Sequence, residues 1–358
     1  MIPIPDKPFW KGPCVDGITQ SLINNYLQCP FRFYIKAILG LEEDLPPHPN
    51  LVWGDCYHYG LEALINSYGS NASNKDSIKA AQAAAYNRLK NHWGQSSLDP
   101  SDDSYYSYDS YKATIHEMLR LYDTSILPEG PWKAEQEFNQ LITPPGSTTQ
   151  YRFKGKRDGL LAPSGALLEH KAKSYYAIDP AHLRDEIEED LQCNIYMTVS
   201  EVETVYYDLI GIPETVRGMK NPYRPVSMTD FEYAQSLVLG GTYKDNGIFP
   251  IIDNTHAWIS QAPYTITHSS QKRYWDRTIW PIVRRIHEWY DYVTDSSFDP
   301  NNPSCYNSIF YRQPVRTFVA SNTEKFKCEY HGYLTGNEDL CNLKPINSLY
   351  NELDQKEV

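Results

Sequence analysis

Long apolar runs are missing: nowhere in the 358 residues do roughly 18 consecutive apolar side chains occur, so no membrane-spanning helix is expected. The opening MIPIPDKPFWKG lacks the apolar stretch of a secretory signal, and no leader is expected there. Basic charge is also scarce. With 33 Lys and Arg against 45 Asp and Glu the net charge is −12, which predicts a weak nonspecific hold on phosphate backbones. A Gly-rich phosphate loop and a Ser–His nucleophile motif are both absent, which removes P-loop and serine-type chemistry. Without internal repeats, a solenoid is excluded. The cysteines at 14, 29, 56, 193, 305, 328 and 341 are odd in number and scattered, so a disulfide framework is not the reading. Buried thiols or metal ligation remain.

Apolar and aromatic residues are plentiful. A hydrophobic fraction of 41%, with 8 Trp, 29 Tyr and 11 Phe, argues for a packed core and against general disorder. A chain of this length supports one large α/β domain with appendages. Residues 1–17 read as an extended Pro-rich segment. A hydroxyl in Thr19-Gln20-Ser21 can cap the helix that carries Leu22, Ile23, Tyr26 and Leu27. Cys29-Pro30 interrupts it, and a second helix runs to the Gly40 stop. Residues 50–70, 76–93 and 112–124 look helical, and a polar loop fills 95–110. From residue 132 the period changes toward alternation, predicting strands at 134–141, 150–161 and 166–173. A helix over 186–200, a strand over 202–210 and a Trp-rich helix beginning near Trp275 follow. Residues 211–265 resist ordering.

The chemistry concentrates in residues 151–171. Pro163-Ser164-Gly165 supplies the turn between two alternating runs. If residues 162–165 form a four-residue loop, Leu161 faces Ala166 and Asp158 falls opposite Glu169, with Cβ atoms about 4.5–5.5 Å apart. Two carboxylates at roughly 5 Å repel by about 3 kcal/mol at an effective dielectric near 20. A divalent cation between them reverses that sign, and oxygen-rich ligation suits Mg²⁺ or Mn²⁺. Lys171 shares a strand face with Glu169, where its ammonium can orient or help deprotonate a water or offset phosphate charge. His170 points to the other face and reads as structural. The bland alternative is an exposed hairpin with solvated charges. On the 186–200 helix, Ile187, Leu191, Ile195 and Val199 form the apolar stripe, with Gln192 and Tyr196 beside it.

The order of these motifs resembles the RecB-like branch of the PD-(D/E)XK nucleases, which includes AddB-type and CRISPR-associated exonucleases and phage enzymes. Ser21-Leu22-x-x-x-Tyr26-Leu27-x-Cys29-Pro30-x-Arg32-x-Tyr34 is similar to that family's opening helix, and Gly54 to His58 to its Gly-x-x-x-His segment. Glu135-Gln136-Glu137-Phe138 is similar to the acidic strand before the hairpin. Gly155 to Asp158 matches Gly-x-x-Asp, Glu169-His170-Lys171 matches Glu-x-Lys, and Gln192-x-x-x-Tyr196 matches the final motif. The resemblance implies an α/β fold with a restriction-endonuclease-like core, a central mixed β-sheet flanked by helices, plus helical and loop-rich appendages. The corresponding division is an extended segment at 1–18, the nuclease core at 19–210 and a variable helical and loop region at 211–300 packing on it. A cysteine-containing segment at 301–345 and a tail at 346–358 complete it.

By that resemblance, Asp158, Glu169 and the His170 carbonyl hold Mg²⁺ or Mn²⁺, and His58 is a further ligand or shapes the site. Lys171 assists the hydrolytic water, Gln192 and Tyr196 contact DNA or position the lysine, and Glu135 is the preceding acid, with Glu137 a near competitor. The bound cation lowers the pKa of a water and stabilises charge on the phosphate during in-line attack. Lys154, Lys156, Arg157 and Lys173 either make the groove locally basic or form a solvated strand face. Relatives also tie an early cysteine to three late ones through a 4Fe-4S iron–sulfur cluster. Cys29 stands in the early position, with Cys305, Cys328 and Cys341 as late candidates. Their spacing departs from the usual tight late triplet, with 22 and 12 intervening residues, and four unrelated thiols are the alternative. The implied activity is metal-dependent hydrolysis of DNA, single-stranded or with free ends, by an exonuclease or single-strand-specific nuclease. It would act in recombination, repair or phage DNA processing, with a helicase or recombination partner, in the cytoplasm of a bacterial or phage-infected cell. A catalytically silent DNA-binding or scaffold subunit of the same fold, or an unrelated acidic α/β binding protein, are the competing classes.

Overall fold

A computed structural model describes residues 6–43, 49–68, 74–95, 108–122, 127, 130, 132–161, 165–174, 183–212, 241–244, 247–250, 259–302 and 343–345. In chain order the first elements are α1 (Gln20–Gln28), α2 (Pro30–Ala37), β1 (Leu41–Glu43), α3 (Pro49–Tyr68), α4 (Asn74–Gln95), α5 (Tyr108–Leu121), β2 (Trp132–Ile142), β3 (Tyr151–Leu161) and β4 (Ala166–Ser174). They continue with α6 (Leu183–Glu189), α7 (Leu191–Val199), β5 (Thr204–Ile212), β6 (Gly241–Lys244), β7 (Gly247–Pro250), β8 (Ile259–Thr265), α8 (His268–Tyr274), α9 (Trp280–Thr294) and β9 (Leu343–Pro345).

Local signals set most helix ends. The Thr19 hydroxyl accepts the Leu22 N–H at 3.2 Å and opens α1. Cys29 then leaves helical geometry, its sulfur accepts the Arg32 N–H at 3.4 Å, and Pro30 starts α2. The helix expected over 186–200 is broken in two at Asp190, whose backbone is extended and whose carboxylate accepts the Cys193 N–H at 2.7 Å. The reason is competition: a short acidic side chain satisfies helix-start N–H groups better than it tolerates a helix interior. Between α8 and α9 the five residues Trp275–Ile279 wind as a π-turn, just before Pro281, which has no N–H to offer the preceding turn.

A mixed five-stranded sheet, in the order β2-β3-β4-β5-β8, forms the centre of the α/β fold. The β3–β4 and β5–β8 pairs are antiparallel, and β4–β5 is parallel, joined through α6 and α7. Two-stranded pairs β1–β9 and β6–β7 stand outside it. The arrangement is that of a restriction-endonuclease-like core with helices beside the sheet.

The chain divides into two compact units, and β2 and β3 each pass from one to the other partway along. One unit comprises Met1–Leu45, Glu137–Lys156 and Lys272–Val358. Aromatic packing holds it: Trp10 meets Phe33 and Tyr290 edge-on at 5.5 and 5.3 Å, and Phe33 lies 4.9 Å from Trp289. The other unit comprises Pro46–Gln136 and Arg157–Gln271. Its core joins α3, α4 and α5 to one face of the sheet through Trp53, Tyr57, Leu89, Ile115, Leu168 and Ile210. Burying each such large side chain contributes about 1.5–3 kcal/mol relative to leaving it in water.

Candidate active site

The hairpin register written from the sequence is observed: Leu161 faces Ala166, and the Gly165 N–H closes the loop onto the Leu161 carbonyl at 2.9 Å. Gly165 sits at φ +66, a conformation that favours glycine. The described backbone pairing stops at Gly159–Leu168, one position short of Asp158–Glu169. There a side chain takes over from the ladder. Asp158 Oδ2 accepts the His170 N–H at 2.7 Å, so this acid grips the peptide between Glu169 and Lys171. Gly159 keeps the strands close at this point, since a Cβ on it would lie 3.0 Å from Leu168 Cβ.

Glu169 is 2% exposed, and Lys171 Nζ stands 2.5 Å from its Oε1. The same ammonium donates to Gln192 Oε1 at 2.6 Å, which ties β4 to α7. From α3, His58 places Nδ1 3.7 Å from Asp158 Oδ1, and its ring meets His170 edge-on at 5.7 Å. Within one unit, Glu169, Lys171 and Gln192 form one contacting set and Asp158 and His58 another, and the two meet at the His170 backbone.

Charge is crowded here. Burial, with Asp158 and Asp190 adding to it against the Lys171 ammonium, pushes the Glu169 carboxyl up to about 8. Burial would raise Asp158 too, but the His58 imidazole and the His170 N–H outweigh it and hold that acid well below the usual carboxylate range. Burial opposes charge on Lys171, yet Glu169 and Asp190 prevail and keep it an ammonium. His58 behaves likewise, held above its ordinary value by Asp158 despite burial.

Three residues of this neighbourhood escaped the sequence reading. Asp190 caps α7 and so aims Gln192; an acid just before an apolar helical stripe was the available signal. Asp208 on β5 pairs in register with His170, and its Oδ2 lies 2.8 Å from His170 Nδ1. The Tyr122 hydroxyl donates to that same oxygen at 2.5 Å. An acid inside the apolar run Val205 to Ile210 was the clue.

The remaining candidates are placed less centrally. Tyr196 is buried on α7 near Arg157, whose guanidinium burial shifts downward with Tyr196 opposing that shift. Glu135 sits half-buried in β2 at φ +57, a left-handed backbone rare for a non-glycine, whereas Glu137 is exposed. Gly155 is buried in β3. Lys154 and Lys156 are half-buried while Arg157, of opposite parity along the strand, is buried, so a single basic face over these positions is not formed. The side chain of Lys173 lies outside the described residues, as do Cys305, Cys328 and Cys341. Cys29 is half-buried at the α1–α2 junction.

One further set, Asp55, Cys56 and His92, has its ligating atoms within 4.8 Å of one another. Asp55 is already taken: Arg88 Nε and His92 Nε2 each stand 2.6 Å from its Oδ2. A guanidinium in that position repels a cation, and burial, with Asp55 adding to it, pushes the Cys56 thiol far up. The set is an ion-paired brace between α3 and α4. Among the described residues no second set is as tight, so His58, Asp158 and Glu169 neighbour one another without closing into a three-ligand cage.

No curated protein matches the chain. Among solved structures it is similar to SSO0001 at 14% identity, covering 69% of this chain and 98% of that one with a TM-score of 0.24. It is also similar to a phage-related exonuclease from Haemophilus somnus 129PT at 13% identity, covering 66% and 92% with a TM-score of 0.30. Neither superposition carries the assignment. Residues 18–216, more than half the chain, match the PD-(D/E)XK nuclease superfamily. That span contains every contact described between Asp158, Glu169, Lys171, Gln192 and His58, and the chain belongs to the PD-(D/E)XK nuclease superfamily.

Proposed function

We propose that the chain is a RecB-like, Mg²⁺- or Mn²⁺-dependent deoxyribonuclease, an exonuclease or single-strand-specific nuclease acting on single-stranded DNA or free ends. Its setting would be recombination, repair or phage DNA processing, with a helicase or recombination partner, in the cytoplasm. The observation that carries this reading is the convergence of Asp158, Glu169 and Lys171 about the His170 peptide.

The residues fit a hard divalent cation. Burial first, with the negative charge of Asp158 and Asp190 adding to it, forces the Glu169 carboxyl up to about 8, and a bound cation would relieve that crowding. Asp158, Glu169 and the His170 carbonyl would hold the ion, with His58 at its edge once the imidazole gives up its proton. When bound, the ion lowers the pKa of a water and offsets charge on the phosphate. Lys171, kept an ammonium by its acidic neighbours, orients that water and balances charge on the scissile phosphate rather than taking a proton. Gln192 fixes the direction of the Lys171 side chain, and Tyr196, buried one helical turn further on, would help seat α7 rather than contact DNA. Glu135 and Gly155 support the same strands.

An iron–sulfur cluster held by Cys29, Cys305, Cys328 and Cys341 belongs to this proposal. It is supported by the β1–β9 pairing, which sets Leu41–Glu43 beside Leu343–Pro345, two positions past Cys341. Anaerobically purified protein should then carry iron, sulfide and broad absorbance near about 400 nm; protein without them removes the cluster.

The decisive assay uses end-labelled single- and double-stranded DNA, with and without Mg²⁺ or Mn²⁺. Wild type should cut only with metal, and Glu169→Ala and Lys171→Ala should be folded and inactive. Variants cutting as fast as wild type would show the site to be misassigned.

A further inference from the structure

Behind the candidate metal residues, on the sheet face opposite Glu169 and Lys171, lies a second constellation that the nuclease motifs do not include. His170 is 3% exposed and Asp208 is fully buried, and their Nδ1 and Oδ2 lie 2.8 Å apart across the parallel β4–β5 pair. Tyr122, at the end of α5, gives its hydroxyl proton to that same carboxylate oxygen, and its ring meets the His170 ring edge-on at 5.9 Å. The opposite edge of the cluster is His58, also edge-on to His170. Asp208 Oδ1 is buried without a hydrogen-bond partner among the described residues, and the His170 Nδ1–Asp208 Oδ2 contact is a close polar approach rather than an aligned hydrogen bond.

A buried acid with one oxygen unsatisfied costs stability, and two apolar side chains would fill this space more favourably. What the polar arrangement adds is direction. An imidazole whose Nδ1 lies 2.8 Å from a buried carboxylate is restrained in its orientation, and the carboxylate itself accepts a hydrogen bond from the Tyr122 hydroxyl. The backbone of His170 is the peptide whose N–H Asp158 grips at 2.7 Å. Restraining the side chain therefore restrains the peptide that joins Glu169 to His170, whose N–H Asp158 holds.

Building on the reading of Asp158 and Glu169 as the metal-holding acids of a nuclease, we propose that Asp208 and Tyr122 are positioning residues that act through the His170 side chain. They clamp the His170 peptide so that Asp158 and the Glu169–Lys171 pair keep their geometry toward the cation. The logic is that of outer partners orienting the groups that touch a metal. Neither residue touches the ion or DNA.

The test measures Mn²⁺ binding to the DNA-free full chain by electron paramagnetic resonance, beside cleavage of end-labelled DNA at varied Mn²⁺. Tyr122→Phe should raise the Mn²⁺ concentration for half-saturation by about tenfold in both assays, the scale on which outer partners act, and leave KM for DNA unchanged. His170→Asn, which keeps an amide nitrogen near the place of Nδ1, should lose less Mn²⁺ affinity than His170→Leu, which should lose it as Tyr122→Phe does. Simple core filling predicts the reverse order, because leucine packs better than asparagine. If His170→Leu fails to fold, the pair His170→Leu with Asp208→Leu removes the stranded acid and decides instead. A wild-type chain that binds Mn²⁺ and cuts DNA, with Tyr122→Phe and His170→Leu unchanged in Mn²⁺ affinity, overturns this inference alone. A wild-type chain that neither binds Mn²⁺ nor cuts overturns the nuclease reading, and this inference with it.

Discussion

Lys171 and Gln192, 21 positions apart, share a 2.6 Å hydrogen bond from Nζ to Oε1. Through it the helix after the hairpin governs the direction of the Lys171 ammonium beside Glu169. Gln192→Ala should lower the cleavage rate by about 10- to 100-fold, as loss of an orienting partner does elsewhere, with the thermal midpoint little changed. Single-turnover cleavage of end-labelled DNA measures it; an undiminished rate would detach α7 from the chemistry.

Glu169 makes metal binding depend on pH. Its carboxyl is pushed up from an ordinary 4.5 to about 8, so the folded, metal-free chain holds a proton that the unfolded chain has released. The linked stability is fully present below about 4.5, declines as pH rises and is gone above about 8. A cation must displace that proton, so Mn²⁺ affinity should climb between pH 6 and 8 and then level. Glu169→Gln should flatten the metal-free thermal midpoint across the same range. A wild-type Mn²⁺ affinity that ignores pH there would contradict the assignment of Glu169.

Asp190 serves as the N-cap of α7. Asp190→Ala should cost about 1 kcal/mol in urea unfolding, while Asp190→Asn, which can accept the same Cys193 N–H, should cost only a few tenths. Equal losses in the two variants would mean that charge, not capping, is what the position contributes.

Gly159 is tested by a single methyl. In Gly159→Ala the added Cβ meets Leu168 Cβ at 3.0 Å and Cδ2 at 3.3 Å, in the residue directly after Asp158. Overpacking of this kind costs about 1–3 kcal/mol and should move Asp158 off the His170 N–H, lowering activity further than stability alone explains. An alanine variant as stable and active as wild type would show that the strands yield there freely.

Strand alternation from Tyr151 and the turn chemistry of Pro163-Ser164-Gly165 are enough to write the hairpin register, because a one-residue slip would put every core side chain on the wrong face. The same periodicity locates the helices and the strand at β5. It does not locate the break at Asp190, because the apolar stripe of Ile187, Leu191, Ile195 and Val199 continues through it in phase. Nor does it reveal that Asp158 bonds a backbone N–H rather than facing Glu169 across a continued ladder, since that depends on where two strands part. The roles of His170, Asp208 and Tyr122 arise from contacts as far as 86 residues apart in the chain, and a local pattern carries no trace of them.

The strand β8 covers one flank of β5 along seven residue pairs, from Thr204–Thr265 to Ile210–Ile259. It lies beyond residue 216, where the family match stops. A recombinant fragment trimmed to the matched region would therefore present β5 as a raw sheet border rich in Val, Tyr, Leu and Ile, ready to recruit another copy of itself. The minimal unit for expression extends at least through Thr265, and a shorter one invites aggregation whatever the state of its active site.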